Sequence, residues 1–297
     1  MVREKSFKAS LMHGLVMCFV IFITACSLLP IIHTLALSFS SMNYALAGMV
    51  YFMPRGFTLD AYNRIMDDAQ FLRSFLISVM RVLIGGGLSV ILTVMMAYPL
   101  SKEKERFRFR NAYMWVIVFT MLFSGGLIPW FMNIRRFGLL DSFWALVFPV
   151  AIQAFHVLLM MNYFRGLPKQ LEEAATIDGA GQWTMLVRIF LPVSLPVLAT
   201  VSLFTMVFHW NSFFDGLILM HSPRNWPLQT YIQQLNFALN PAQMVGMTPD
   251  EIAAHMNVTG INFNAAKIFT SMVPILVVYP FLQKFFITGI VLGSVKE

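Results

Sequence analysis

The stretch Leu167-Pro-Lys-Gln-Leu-Glu-Glu-Ala-Ala-Thr-Ile-Asp-Gly-Ala-Gly-Gln-Trp-Thr-Met-Leu-Val-Arg-Ile-Phe-Leu-Pro192 lies between two strongly apolar runs and sets the reading of both. Pro168 suits the first turn of a helix, where its missing donor is not needed. Glu172 and Glu173 near that N-terminus favour the helix dipole. Gly179 is placed to end the helix in a left-handed conformation. The pattern predicts a short helix over Pro168–Asp178. Ala174 and Ala175 give it a bare surface that a partner can approach closely, and Glu173 offers an anchored charge beside it. A second short helix, about Gln182–Arg188, leads through Leu191-Pro192 into the next apolar run. Two short helices at a sharp angle, joined rigidly to that run, make a lever.

Outside this stretch the chain is mostly apolar. Its 297 residues are 58% hydrophobic and 12% charged, against about a quarter charged in soluble domains. The mean hydropathy of +0.70 agrees. A membrane span needs roughly 20 mostly apolar residues. Six stretches qualify: about Leu11–Leu35, Phe75–Leu100, Ala112–Met132, Phe143–Tyr163, Phe190–His209 and Ile268–Leu292. The expected fold class is therefore all-α, a polytopic transmembrane helical bundle of six spans. The segment Met1 to Ser10 carries Arg3, Lys5 and Lys8, like the n-region of a signal peptide. The apolar stretch that follows is too long for an h-region and lacks a clear small-x-small cleavage site, so it reads as a retained span.

Orientation follows from Lys and Arg in short loops. The loop holding Lys102, Lys104, Arg106, Arg108 and Arg110 is the densest. It places the N-terminus, the 164–189 loop and the C-terminus in the cytoplasm, with tails at 1–10 and 293–297 around a transmembrane body at 11–292. The net charge of +7 is spent on this orientation and does not call for nucleic acid. Two long external segments remain, about Phe39 to Ser74 and about Asn211 to Lys267. The second contains Pro223, Pro227, Pro241 and Pro249 and reads as a folded or partner-ordered loop, without a core of its own.

Several chemistries are excluded. Cys18 and Cys26 share one apolar run and read as packing residues. No metal-ligand spacing occurs, and the six His are scattered, which leaves a membrane enzyme without a convergent site. No P-loop is present, so the chain cannot supply its own ATP hydrolysis. The central parts of the spans hold no Asp or Glu, which disfavours a proton- or sodium-coupled carrier.

Other features carry two readings each. Gly85-Gly86-Gly87, Gly125-Gly126, Pro129, Pro149, Pro192, Pro196, Pro274 and Pro280 break spans. They serve helix packing and kinking, or hinges for alternating access. Arg81 and Lys284 snorkel or pair, or mark function at bilayer depth. His209, Trp210, Asn211 and Asp215 form an interfacial belt with a satisfied His, or line a pathway where aromatic and amide groups meet a polar solute.

The spacing Glu173-Ala174-Ala175, three residues, Gly179, nine residues, Ile189, one residue, Leu191-Pro192 matches the EAA motif of bacterial ABC importer permeases at every position. Nearly the whole chain resembles the smaller, six-span permease of the maltose-type carbohydrate-uptake group. Trp226-Pro227-Leu228-Gln229-Thr230 and Gly293-Ser294-Val295-Lys296 carry the same resemblance. It implies a type I ABC importer permease fold in the bacterial inner membrane, multi-pass and not itself an enzyme. Glu172, Glu173, Ala174, Ala175, Asp178 and Gly179 would dock an ATPase. Asn225, Trp226 and Gln229 would face a periplasmic or lipid-anchored solute-binding protein, with the outer loop reaching its sugar cleft. The implied partners are a second homologous permease forming a heterodimer, two ATPase subunits holding ATP and Mg, membrane lipid and an oligosaccharide. Within the group the chain is most similar to permeases for complex or acidic oligosaccharides, alginate among them. No cofactor or metal is expected on this chain.

Overall fold

The computed structural model describes residues 7–238 and 260–294, with side chains described for 11–235 and 260–280. Arg3, Lys5, Lys8, Pro241, Pro249, Lys284, Lys296 and the tail beyond Ser294, all invoked above, lie outside these described residues or side chains. Among the described residues the chain is helical and forms no strand. One isolated antiparallel bridge joins Ser40 to Phe57. The helices are α1 Phe7–Ser38, α2 Met42–Leu46, α3 Asp60–Asp67, α4 Ala69–Met80, α5 Gly87–Ser101, α6 Arg110–Leu122, α7 Leu127–Arg136, α8 Ala154–Arg165, α9 Lys169–Ile177, α10 Gln182–Thr184, α11 Leu191–Val193, α12 Leu195–Asn211, α13 Phe214–Leu219, α14 Leu228–Ala238 and α15 Ile261–Ser294. Two π-helical stretches, Arg81–Gly86 and Met185–Phe190, run α4 into α5 and α10 into α11.

Among the described residues, three helical runs are long and apolar enough to cross a membrane: Leu11–Ser38, Ala69–Ser101 and Ile261–Pro280. Three bent pairs bring the number to as many as six if each pair is one span. They are α6 with α7 at 117°, Phe143–Val150 with α8 at 47°, and Gln182–Val193 with α12 at 85°.

All three bends correct the expected spans, and Phe143–Tyr163 bends by 47° between Val150 and Ala154. Ala112–Met132 is not one continuous helix, because α6 stops at Leu122 and the chain turns through Phe123–Gly126. Gly126 takes φ 85° there, a conformation glycine alone adopts without cost. Phe190–His209 is likewise divided at Ser194, between Pro192 and Pro196. A proline inside a helix removes a hydrogen bond and clashes with the preceding turn, so the backbone bends where the two prolines meet. The lever joins its span through this bend.

The chain divides into two compact units, Met1–Ala69 with Gln234–Val273 and Gln70–Gln233 with Pro274–Glu297. In the first, Asn262 Nδ2 donates to the Ser40 carbonyl at 3.1 Å. Lys267 Nζ lies 2.6 Å from Asp68 Oδ2 and 4.0 Å from the Phe263 ring centre, so a buried ammonium is matched by a carboxylate and an aromatic face. Between residues 11 and 30 nothing is buried within the chain.

The second unit is built on α5, α8 and α12. Val94, Ala97, Tyr98 and Leu100 of α5 pack with Val157, Met160, Met161 and Phe164 of α8 and Val197 and Val201 of α12. Met185, Leu186 and Phe190 extend this core toward α9, whose Ala175 closes it. Small residues at Ala97 and Ala175 allow close approach of helices, as packing in lipid demands.

Candidate functional site

The site is α9 and its surroundings. Pro168 is the N-cap and α9 begins at Lys169, one residue later than expected. Gly179 takes φ 73°, and Ala180 N donates to the Ala175 carbonyl at 2.9 Å while Gly179 N donates to Thr176. That is a glycine-terminated helix end with its last carbonyls satisfied.

The two alanines do not share a face. Ala174 is exposed, but Ala175 is 5% exposed and sits in the core. The expected bare double-alanine surface is therefore half real. Positions one apart on a helix point about 100° apart, so only one of them can face outward once the helix packs. The outward face is Glu173, Ala174 and Ile177, the last 86% exposed. Asp178 and Gly179 are exposed at its end.

Glu172 is turned toward its own chain. Its carboxylate takes Arg106 in a direct ion pair and lies 3.1 Å from the Lys102 ammonium. Lys169 pairs with Glu103 on the same side. Three of these groups, Lys102, Glu103 and Arg106, come from the basic loop after α5, which sequence reasoning used only for orientation. The signal was present: an acidic pair on α9 and a dense basic loop assigned to the same side of the membrane. Burial pushes the Lys102 ammonium down from its ordinary value; Glu172 opposes this and Arg106 adds to it. The Lys169 side chain holds the Glu103 carboxyl below its usual range, and Glu103 raises Lys169 in return. A cavity of about 330 Å³ opens among Lys102, Arg106, Arg165, Lys169, Glu172 and Glu173.

At the far end of α12 the structure places the other candidates. His209 is 1% exposed, and its ring lies against Gly85. Trp210 is buried and meets Phe75 edge-on at 5.7 Å. Asn211 alone of this group is exposed. Asp215 is buried and ion-paired with Arg81, and it accepts from Ser212 Oγ and Gly216 N, each at 2.9 Å. His209, Trp210 and Asp215 are thus internal in this arrangement.

Asn225 donates to the Asp141 carbonyl at 2.9 Å, Trp226 donates to the Met220 carbonyl at 3.2 Å, and Gln229 is half-buried. Asp141, which sequence reasoning passed over, organises this corner. It is the one described non-glycine residue at positive φ, 57°, and its carboxylate accepts from the amides of His221 and Ser222. Burial would raise that carboxyl, but the bonds from Ser222, Asn225 and His221 outweigh it and leave it below the ordinary value. Among the described residues no His, Cys, Asp and Glu gather as a metal site.

No family model matches the chain. Individual proteins do. It is 38% identical over 270 residues to the polygalacturonan/rhamnogalacturonan transport system permease protein YtcP of Bacillus subtilis (strain 168), covering 90% of this chain and 92% of that one. It is also 38% identical over 277 residues to protein LplC of the same organism, covering 92% and 90%. Its fold superposes on a chain of a crystal structure of a bacterial ABC transporter involved in the import of the acidic polysaccharide alginate. The TM-score is 0.83 at 32% identity, over 95% of this chain and 99% of that chain. With the EAA spacing carried on α9 and the fold shared end to end, the chain belongs to the permease subunits of ABC sugar and oligosaccharide transport systems.

Proposed function

We propose that this permease passes an acidic oligosaccharide across the bacterial inner membrane by alternating access, driven by ATPase subunits that dock on α9. The observation that carries the reading is the division of α9 into two faces. Glu173, Ala174 and Ile177 are presented outward beside Asp178 and Gly179, while Ala175 is seated in the core of α5, α8 and α12. A load applied to the outer face has a packed route into three apolar helices. ATP and Mg belong to the docked ATPases, and this chain holds no cofactor.

Six spans with both termini in the cytoplasm complete the proposal. The gathering of Lys102, Arg106, Arg165 and Lys169 around one cavity supports placing α9 on the cytoplasmic side. A second homologous permease covers part of the exposed apolar surface and lipid covers the rest. A solute-binding protein delivers the sugar from outside to the region of Asn225, Trp226 and Gln229, with His209, Trp210, Asn211 and Asp215 near the pathway. An acidic substrate is favoured because galacturonan and alginate, the polymers in the names of the two most informative relatives, are both built of uronic acids.

The test is co-purification. The chain is expressed with its neighbouring permease and ATPase genes, and the ATPase retained on the tagged permease is measured. Glu173→Lys reverses the exposed charge and is expected to release the ATPase while the permease stays folded. Retention of the ATPase, with hydrolysis still stimulated by binding protein and sugar, would overturn the docking role.

A further inference from the structure

We propose that Lys102 is a positioning residue that clamps α9 to α5, so that the docking helix moves the second apolar run together with α12. This rests on the reading that α9 docks an ATPase. The route through Leu191-Pro192 to α12 was legible in the sequence; a route to α5 was not. Lys102 follows directly on the last residue of α5 and is nearly buried. Its ammonium touches three elements at once. Tyr98 of α5 and Phe190 of the π stretch lie beneath it, each ring centre 4.3 Å away. Glu172 of α9 lies 3.1 Å from it on the open side.

The rings form a frame of their own. Tyr98, Phe164 of α8 and Phe190 meet mutually edge-on, with centres 5.2 to 6.3 Å apart. The Tyr98 hydroxyl donates to Gln182 Oε1 at 2.9 Å, which ties α5 to the start of α10. A cation held between two aromatic faces and a carboxylate is worth most when desolvated. The neighbouring pairs are not placed to carry load: Arg106 is about half exposed, and Lys169 and Glu103 are largely exposed. Exposed pairs contribute little and are screened by salt. Of the contacts between α9 and the loop after α5, the one through Lys102 is thus the sheltered one.

The experiment uses the full complex in nanodiscs, in a Cys18→Ser/Cys26→Ser background. Spin labels are placed at Met95→Cys on α5 and Gln170→Cys on α9, both exposed positions. Distances are measured without nucleotide and after trapping with ATP and vanadate. With Lys102 present, one narrow distance is expected, unchanged by trapping because the two helices move as a body. Lys102→Met is expected to broaden it and to shift it on trapping by about 3 Å or more, beyond ordinary helix adjustments. Lys102→Arg, which keeps the charge and stacks on aromatic faces, is expected to restore the narrow distance. A distribution in Lys102→Met as narrow and as fixed as the parent's would overturn the clamp, as would a parent distance that itself shifts on trapping. Loss of the ATPase from complexes that retain Lys102 would overturn the docking reading instead, and the nucleotide-free widths would still decide the clamp.

Discussion

Arg81 lies within a long apolar helical run and has no exposed surface, and its counter-ion, Asp215, comes from 134 residues further along the chain. The guanidinium makes two bonds to the carboxylate and a longer one to the Ser212 carbonyl at 3.3 Å. Asp215 is completed by Ser212 Oγ and Gly216 N. Desolvating two charges costs about as much as their attraction returns, but removing one partner strands the other. Asp215→Ala is therefore expected to destabilise the protein by about 3–5 kcal/mol. The double variant Arg81→Met/Asp215→Leu is expected to recover most of that loss. Thermal unfolding of the detergent-solubilised protein measures both, and a double variant no more stable than Asp215→Ala would refute the account. This pair shows what the local sequence leaves out of a site. In the sequence Asp215 groups with His209, Trp210 and Asn211 because it is close to them along the chain. Nothing in the local pattern names Arg81 as its partner, and Arg81 in isolation reads as snorkelling or paired before it reads as functional.

At the scale of elements, the π-helical stretch Arg81–Gly86 shows what Gly85-Gly86-Gly87 does. A Cβ built on Gly85 would lie 3.1 Å from His209 Cε1 and 3.3 Å from Val147 Cγ2, whereas one on Gly87 meets nothing within 4 Å. His209 is buried, so its ring has no open space to turn into. Gly85→Ala is expected to cost about 1–3 kcal/mol by overpacking. Gly87→Ala is expected to be neutral or to gain up to about 1 kcal/mol from helix propensity. Equal melting temperatures for the two variants would remove the packing argument. Gly85 thus serves close approach of α12 to the π stretch, whereas Gly87 has no such contact. Apolar length located every long run, because a helix in lipid needs little more than uninterrupted hydrophobicity. It could not locate the bends after Leu122 and at Ser194, since a chain turning through 117° or 85° stays as apolar as a straight one. The helix around Glu173 was legible to within a residue because its ends are written in Pro168 and Gly179. Which of its alanines faces inward was not, because that depends on the core of α5, α8 and α12 against which Ala175 packs.

For the molecule as a whole, a six-span arrangement requires that α6 and α7 together cross the bilayer. Helix α6 has 13 residues, which is about 20 Å of helix against a hydrocarbon core of about 30 Å. The segment Phe123–Gly126 is not helical, and Phe123 is in an extended conformation; four residues of chain can add at most about 13 Å. The two lengths together are enough to reach across if the segment runs on along α6. Helix α7 then turns by 117° and ends on Arg135 and Arg136, as expected of a helix that has reached the opposite interface and lies along it. A re-entrant α6–α7 would instead return Arg136 to the side from which α6 starts. Single cysteines at Glu105→Cys and Arg136→Cys, in the Cys18→Ser/Cys26→Ser background, separate the two arrangements, since both positions are exposed. A membrane-impermeant maleimide is expected to label Arg136→Cys in right-side-out vesicles and Glu105→Cys only in inverted ones. Labelling of both from the same side would reduce the spans below six. It would also separate the C-terminus from the N-terminus across the membrane, because one crossing fewer makes the number odd.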